Sequence, residues 1–151
     1  MTYGDFKILF AGAGDSEEEL KSIIEQLGVG NSAQLIGYRA DIDRLLKISD
    51  FVASASYREG LPVNIIEGMF SKKAAVVTPN RGHDEIVKEN ESGLFVPTDD
   101  PKQCASAFEK LYKDKTMRLS MGEKAFERAQ KYSSEKVKKE LEEIYKEIIF
   151  N

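Results

Sequence analysis

Short apolar runs alternate along the chain with longer segments whose apolar residues recur at helical spacing. The first run, residues 6–12, is rich in β-forming residues and stops at a glycine, which predicts a buried strand that enters a turn. Residues 16–27 then change to a period of three and four, which predicts a helix. Ser16 and Glu19 have the spacing of a capping box at its start, and Gly28 predicts its end.

The same alternation continues as far as residue 97. Strands are predicted near residues 33–36, 50–55, 74–78 and 93–96, and helices near 41–48, from Pro62 onward and around Glu85 and Ile86. Pro62 suits the first position of a helix, where its missing N–H is not needed. Strands with unbroken apolar character between amphipathic helices are typical of a parallel sheet that is covered on both faces.

From residue 101 onward the pattern is helical throughout, with helices predicted near residues 101–112, 117–132 and 134–149. The last helix carries an apolar stripe on one side and charged residues on the other. The stripe consists of Val137, Leu141, Ile144, Tyr145 and Ile148. A solvated surface is the simpler interpretation of the charged side, and a partner-binding surface is the less favoured alternative. The sequence thus predicts one α/β domain over residues 1–151, with a parallel sheet between helices and a helical C-terminal part.

Charge and composition exclude several classes of protein. The net charge is -4, with 22 basic and 26 acidic residues, which disfavours binding to nucleic acid by bulk electrostatics. No apolar run approaches the roughly 20 residues of a membrane-spanning helix, and the first residues lack the features of a signal peptide. Cys104 is the single cysteine, so an intrachain disulfide is impossible, a cytoplasmic location is the default and packing is its expected role.

Paired glycines, Gly12 and Gly14, follow the first predicted strand. Ligands of open parallel sheets bind beyond the carboxyl ends of the strands, and glycines there let the backbone approach a phosphate or a sugar. A dinucleotide fingerprint needs a third glycine where this chain has Glu17, and the neighbouring acidic residues disfavour a pyrophosphate. The pair indicates either a ligand-contacting loop or an ordinary tight turn.

Two glutamates flank the helix that is predicted to begin at Pro62. Glu59 lies just before this helix and Glu67 eight positions later, about two turns into it, so both carboxylates can face one crevice. The free N–H groups at the helix start suit a diphosphate, and a carboxylate suits the vicinal hydroxyls of a ribose. This arrangement would bind a sugar nucleotide. On spacing alone, the somewhat better alternative is that neither glutamate binds a ligand. Glu59 would then be a favourable charge at the helix start, and Glu67 would face solvent.

The segment from Glu59 through Pro62 to Glu67 resembles the donor-site motif of retaining glycosyltransferases of the GT-B fold, family 4 or group 1 type. Other stretches resemble the same family in the same order, so that the likeness covers nearly the whole chain. They are residues 12–15, 35–42, 49–52, 81–87 and 92–97. The resemblance implies a Rossmann-like domain, the donor-binding half of a GT-B enzyme. Residues 58–62, taken together with residues 81–83, look most like those of bacterial enzymes that build capsule, exopolysaccharide or lipopolysaccharide.

The resemblance also implies a role for each matching residue. Glu59 would contact the donor hexose close to the reacting face, and Glu67 would bind the ribose of the nucleotide. Gly60 and Leu61 would offer backbone amides to the phosphate and the sugar. The nucleobase would lie against a loop formed by Gly37, Tyr38 and Arg39, and Gly12 and Gly14 would line the floor of the cleft between domains.

The chain departs from the family pattern at two points. The family usually has alanine after the second glutamate, where this chain has Gly68, and we expect the difference to be tolerated. The family domain also begins with a strand and a helix that carry an arginine and a lysine for the diphosphate, and no such segment precedes Phe6. We therefore expect an excised half of an enzyme that lacks the N-terminal acceptor domain, with residues 1–5 partly foreign to it.

The implied reaction transfers a sugar from a nucleoside diphosphate sugar to an acceptor hydroxyl, with retention at the anomeric carbon. The resemblance suggests a UDP-sugar as the donor. The resemblance implies that no metal or other cofactor takes part, and the sequence has a single histidine and no cluster with metal-ligand spacing. The saccharide or lipid-linked acceptor would bind through the missing domain. That domain would also hold the cytoplasmic enzyme at the inner face of the membrane. Because enzymes of this fold work in the cleft between two domains, this half alone is expected to bind a donor weakly and to be inactive.

Arg81 and His83 lie in a loop after the strand that ends near Thr78. Either could touch the donor phosphate or the acceptor at the rim of the cleft. The favoured alternative is that Gly82 makes a turn and its polar neighbours cap the next helix.

Two other functions remain open at this point. The chain could be half of a sugar-nucleotide epimerase of the same architecture, although the acid and base groups of such an enzyme are not evident in it. It could also be a stand-alone α/β nucleotide-binding module, although the missing third glycine counts against the dinucleotide type.

Overall fold

A computed structural model describes the backbone of residues 6–150 and the side chains of residues 6–149. Residues 1–5, expected to be partly foreign to the domain, lie outside the described part. The chain divides into two compact units, one up to Ile42 and one from Asp43 onward. In both units parallel strands alternate with helices, as the sequence predicts.

The first unit is a β–α–β unit. It consists of β1 (Ile8–Ala11), α1 (Glu17–Gln26) and β2 (Ala33–Gly37), and its two strands pair in parallel. The register places Ile8 opposite Ala33, and a shift between Phe10 and Ala11 brings Ala11 opposite Gly37. The helix stops where predicted, because Gly28 has a φ of +63°, which a glycine adopts without strain.

The capping box predicted at Ser16 is wrong. Ser16 has φ -83° and ψ 4°, whereas a side chain caps a helix from an extended backbone, and its hydroxyl makes no capping bond. The carbonyl of Gly14 instead accepts from the N–H of Glu17 at 3.1 Å, and the carbonyl of Ser16 accepts from Leu20 at 3.0 Å. A tight turn at Gly14 thus leads directly into α1.

The second unit contains a three-stranded parallel sheet in the order β3–β4–β5. Its elements begin with α2 (Ile42–Ile48), β3 (Phe51–Ser54), α3 (Val63–Phe70), β4 (Ala74–Val77), α4 (Arg81–Ile86) and β5 (Gly93–Phe95). The central strand is buried at every residue, as its unbroken apolar run predicts. Pro62 lies at the N-cap of α3, one position before the predicted one, and its carbonyl accepts from Ile65 and Ile66.

Helices cover both faces of this sheet, as predicted. On one face, Ala75 and Val77 pack in a cluster with residues of α3, α4 and the second helix of the C-terminal part described below. On the opposite face, Ala74 and Val76 pack with Ala107, Leu111 and, at its edge, the half-buried Cys104. Packing is therefore the observed environment of the single cysteine.

The C-terminal part consists of α5 (Pro101–Lys113), α6 (Lys115–Ala129), a 3₁₀ turn (Gln130–Tyr132) and α7 (Ser134–Phe150). Asp100 caps α5 by accepting from the N–H groups of Lys102 and Gln103, and Asp114 caps α6 by accepting from Met117. It is α6 that completes the first of the two clusters, with Ala125 and Ala129.

The amphipathic pattern predicted for the last helix is present in α7. Every side chain described in residues 134–149 is exposed, and those of the predicted apolar stripe are exposed by 42% at Val137 up to 70% at Ile148. Over the part of the chain that the structure describes, we find no helix that combines the length and the apolarity needed to cross a membrane.

Candidate functional site

The loop between β3 and α3 carries Glu59, Gly60 and Leu61. It starts at the carboxyl end of β3, where open parallel sheets bind their ligands. Glu59 is half-buried, and Leu61 is exposed at 49% although it is a large apolar residue. The segment that follows β4, up to the start of α4, lies beside this loop.

The contact between the two segments is made at Gly82, in the first turn of α4. A Cβ on Gly82 would lie 2.8 Å from the Cβ of Glu59 and 2.8 Å from the carbonyl oxygen of Gly60, which is closer than side-chain atoms approach. The absence of a side chain therefore lets α4 pack directly on the backbone of the loop. Arg81, the preceding residue, is exposed, so the structure places a cation one position from this contact.

Hydrogen bonds join the same segments at Ser56. The Ser56 carbonyl accepts from Thr78 Oγ1 at 2.7 Å and from Asn80 Nδ2 at 2.9 Å. Asn80 also caps α4, because its Oδ1 accepts from the N–H of His83 at 3.0 Å. Both ends of the Asn80 amide are therefore used, one for the helix and one for the loop.

His83 is fully buried and contacts only the protein interior. Its Nδ1 lies 2.7 Å from the carbonyl oxygen of Thr78 and 2.8 Å from Asn80 Nδ2. A carbonyl oxygen can only accept, so the bond to Thr78 assigns a proton to Nδ1. Nε2 is also buried and has no hydrogen-bond partner among the residues that the structure describes. A side chain without exposed surface has none to offer a phosphate, so the structure favours the capping alternative for this segment over a donor contact by His83.

Glu67 lies on the exposed side of α3, while Ile65, Ile66 and Met69 are buried against the sheet. The first amides of α3, at Val63 and Asn64, precede the first hydrogen bonds within the helix and are available to a ligand. The second unit thus presents one glutamate before these amides and one beyond them on the exposed helix surface. That both carboxylates face one crevice stays a prediction from the motif.

The first unit brings the remaining predicted residues together. The N–H of Gly12 donates to the carbonyl of Gly37 at 2.8 Å, so the glycine loop and the Gly37–Tyr38–Arg39 loop are adjacent. Gly12 has a φ of +140° and Gly37 of +64°, conformations that a residue with a side chain rarely adopts. Tyr38 is exposed at 82%, more than any other large hydrophobic residue whose side chain the structure describes.

Arg39 is held in a two-pronged ion pair with Asp41. Its Nε lies 2.8 Å from Oδ1 and its Nη2 lies 2.7 Å from Oδ2 of that carboxylate. The hydrogen bonds from Arg39 lower the pKa of Asp41 below its ordinary value. The guanidinium of Arg39 therefore has a partner within its own loop.

No group of three or more histidine, cysteine, aspartate or glutamate residues in the described part of the chain is arranged to hold a metal ion.

In the second unit, a hydrogen bond links the loops that follow β3 and β5. The Tyr57 hydroxyl donates to Asp99 Oδ1 at 3.3 Å.

The sequence matches the family described as Glycosyl transferases group 1 over residues 2–128. The chain belongs to this family. The resemblance stated from the motifs is thereby confirmed, and membership in a glycosyltransferase family disfavours the epimerase and the stand-alone module.

The relatives that resemble this chain are considerably longer than the chain itself. EpsD of Bacillus subtilis (strain 168) is 31% identical over 139 residues, which make up 92% of this chain and 36% of EpsD. The N,N'-diacetylbacillosaminyl-diphospho-undecaprenol alpha-1,3-N-acetylgalactosaminyltransferase of Campylobacter jejuni is 28% identical over 138 residues, or 91% of this chain and 36% of that enzyme.

The fold has a close counterpart among solved structures. HepE of Anabaena, crystallised in complex with UDP, superimposes with a TM-score of 0.88 at 23% identity. The match covers 94% of this chain and 41% of HepE. The chain thus spans between a third and a half of the length of these three proteins, and the α/β fold predicted from the sequence is confirmed.

Sequence reasoning missed the residues that connect the loops, namely Ser56, Thr78 and Asn80. One signal was present, because an asparagine three positions before His83 at a helix start is a common N-cap. The bonds to the Ser56 carbonyl had no such signal, since they join residues 22 and 24 positions apart.

Proposed function

We propose that this chain is the donor-binding domain of a retaining glycosyltransferase. The full-length enzyme would move a sugar from a nucleoside diphosphate sugar to an acceptor hydroxyl. The observation that carries this proposal is the arrangement around α3. The Glu59–Gly60 backbone, packed on Gly82, lies just before the free amides of the helix, and Glu67 lies beyond them on its exposed side.

Each part of this arrangement suits one part of the donor. The carboxylate of Glu67 can accept hydrogen bonds from the two vicinal hydroxyls of a ribose. The amides at the start of α3, with those of Gly60 and Leu61, donate to the diphosphate and stabilise the charge that grows on it as the sugar leaves. Glu59 would accept from hydroxyls of the transferred sugar and orient its reacting carbon.

The glutamates do not act here as an acid and a nucleophile. Their proposed work is the recognition of hydroxyl groups, and the enzyme would gain rate from positioning and from electrostatic stabilisation of the leaving diphosphate. As the family resemblance implies, the proposal involves no metal ion. Arg81, exposed beside Gly82, is the residue of this unit that we assign to the outer phosphate.

The finer assignments rest on the relatives. UDP is proposed as the nucleotide because HepE was crystallised with it. A saccharide or lipid-linked saccharide acceptor is proposed because the Campylobacter relative is named for transfer to a diphospho-undecaprenol-linked sugar. We therefore place the parent enzyme in bacterial polysaccharide synthesis, such as that of capsule, exopolysaccharide or lipopolysaccharide. It would lie in the cytoplasm at the inner face of the membrane, with the acceptor bound by the part outside this chain.

The experiment is a titration of the 151-residue chain with UDP, GDP and ADP, by NMR or calorimetry, repeated on Glu67→Ala. We expect UDP to bind more tightly than the other two. The substitution should weaken binding by about 1 to 3 kcal/mol, the usual loss for a hydrogen bond to a charged group. Glu127→Ala removes an exposed carboxylate from α6 and is the matched control, which should leave the affinity unchanged.

Equal weakening by Glu67→Ala and Glu127→Ala would show that net charge and not the site is responsible. Binding of UDP that is unaffected by Glu67→Ala would remove the ribose role from this residue. If none of the nucleotides binds, the same titration on the full-length parent decides, because there the rest of the diphosphate site is present.

A further inference from the structure

We propose that Thr78 and Asn80 are positioning residues of the donor site. They would hold the loop that carries Glu59 in its ligand-binding conformation without touching the ligand themselves. The inference rests on the proposed function, because it assigns a purpose to the loop only if the loop binds a donor. Neither residue belongs to the motif by which the family resemblance was stated.

The first observation is that the two side chains share one acceptor. Thr78 Oγ1 and Asn80 Nδ2 both donate to the carbonyl of Ser56, three residues before Glu59. A carbonyl oxygen has two lone pairs, so this acceptor is fully used. Thr78 is only 2% exposed, so water is poorly placed to replace its hydroxyl.

The second observation is that both ends of the Asn80 amide have a partner. Its Oδ1 accepts from the backbone N–H of His83, and its Nδ2 donates to the Ser56 carbonyl. The protonated Nδ1 of His83 donates to the carbonyl of Thr78 and so accepts nothing from Asn80 Nδ2, although these two nitrogens lie 2.8 Å apart. The buried ring thus links α4 to the end of β4, which gives a structural purpose to the single histidine of the chain.

The third observation is that the loop is confined from a second direction. Gly82 packs on the backbone of Glu59 and Gly60, and Asn80 caps the short helix to which Gly82 belongs. Asn80 thus acts on the loop twice, through Ser56 and through the start of α4. A loop held in one conformation before binding loses less conformational freedom when the donor arrives.

The test uses isosteric and cap-preserving substitutions. Thr78→Val keeps the shape of the side chain and removes its hydroxyl, and Thr78→Ser keeps the hydroxyl. Asn80→Ser keeps an oxygen that can cap His83 but removes the amide that donates to Ser56. Asp114→Ala is the matched control, since it removes the N-cap of α6 and leaves the bonds to Ser56 intact.

Two quantities are measured on each variant, well below its unfolding temperature. NMR order parameters of the Gly60 and Leu61 amides in the free protein report the order of the loop, and titration with UDP reports the site. We expect Thr78→Val and Asn80→Ser to lower these order parameters and to weaken UDP binding by about fivefold to tenfold, the range of one ordinary hydrogen bond. Thr78→Ser should retain most of both properties, and Asp114→Ala should lower only the thermal stability.

Unchanged order parameters at Gly60 and Leu61 in Thr78→Val and Asn80→Ser would overturn the positioning role, whatever the chain binds. So would normal UDP affinity in these variants while Glu67→Ala has lost it. If the order parameters fall but the wild-type chain and the full-length parent bind no nucleotide, Thr78 and Asn80 do hold the loop and the proposed function is what fails.

Discussion

Gly68 in α3 faces Val52 in β3 at a distance that leaves no room for a methyl group. A Cβ on Gly68 would lie 2.7 Å from Val52 Cγ2 and 2.8 Å from Val52 Cγ1. Valine is stiff at χ1, so it cannot easily turn aside. Glu67 immediately precedes Gly68, and the contact therefore determines how closely the helix that carries this carboxylate approaches the sheet.

Gly68→Ala should therefore destabilise the fold, despite the better helix propensity of alanine. We expect a loss of about 1 to 3 kcal/mol in the free energy of unfolding, as for other overpacked sites. Val52→Ala makes room for the new methyl group, so the double variant should be more stable than the sum of the two single effects predicts. Urea unfolding of the four proteins measures this coupling, and strictly additive effects would contradict the close contact.

Gly82→Ala should impair both the stability and the proposed donor site. The new methyl group would meet the backbone of Glu59 and Gly60, which must move if α4 stays in place. We expect UDP affinity to fall by about tenfold or more, a shift equivalent to at least 1.4 kcal/mol. Met121→Ala is the control, since it opens a cavity in the cluster on the opposite face of the sheet. A variant at Gly82 that is destabilised like Met121→Ala but binds UDP normally would argue against the role of this contact.

Arg128 of α6 holds the C-terminal end of α4. Its Nε donates to the carbonyl of Ile86 at 3.1 Å and its Nη2 to the carbonyl of Glu85 at 3.3 Å. Arg128→Ala should lower the free energy of unfolding by about 1 to 2 kcal/mol, since charged donors to these carbonyls are lost. Arg128→Lys should recover only part of this, because an ammonium group lacks the fork that meets two carbonyls at once. Denaturant unfolding measures the stability of both variants. Equal stability of Arg128→Lys and the wild type would show that the fork is unimportant.

The cap of α5 should make the stability of the chain depend on pH in the acid range. Hydrogen bonds from the backbone and side chain of Gln103, and from the backbone of Lys102, hold the pKa of Asp100 below its ordinary value. Because the unfolded value of about 3.9 is higher, the ionised carboxylate stabilises the fold above that pH. This contribution is lost as the pH falls through the lower pKa of the folded state.

Asp100→Asn keeps a good N-cap without an ionisable group. The stability advantage of the wild type over this variant should therefore be present near pH 6 and shrink steadily below about pH 3.9. Thermal unfolding of both proteins across this range measures the difference. A difference that does not change with pH would show that the cap does not depend on ionisation.

Elements that are defined by their own residues could be predicted from the sequence. All four residues of β4 are apolar, and a parallel strand with helices on both faces needs no polar side, so its position follows from the run alone. The start of α5 follows from Asp100 and Pro101, a capping residue and a proline in adjacent positions. The glutamate pair is singled out by the resemblance to the family motif, since on spacing alone the alternative without a ligand is the better one.

Contacts between distant segments could not be predicted in the same way. Nothing in the residues near Gly82 indicates that the backbone of Glu59 lies against it, because the contact depends on how β3 and β4 pair. His83 is polar and follows a strand, which suggests that its side chain lies at the rim of a cleft. In the structure the ring is buried, and its Nδ1 donates to the carbonyl of Thr78. Ser16 has the right residue type for a cap and the wrong backbone conformation, which local sequence does not specify.

The two donors to the Ser56 carbonyl come 22 and 24 residues after it in the chain. During synthesis from the amino end, Glu59 and Glu67 are therefore joined to the chain before Thr78 and Asn80. A nascent chain that ends at Phe70 contains both glutamates but lacks β4 and the two side chains that hold the loop of the first glutamate. Under the proposed function, the chain would then become competent for the ligand when β4 pairs with β3, and not as soon as the motif is complete.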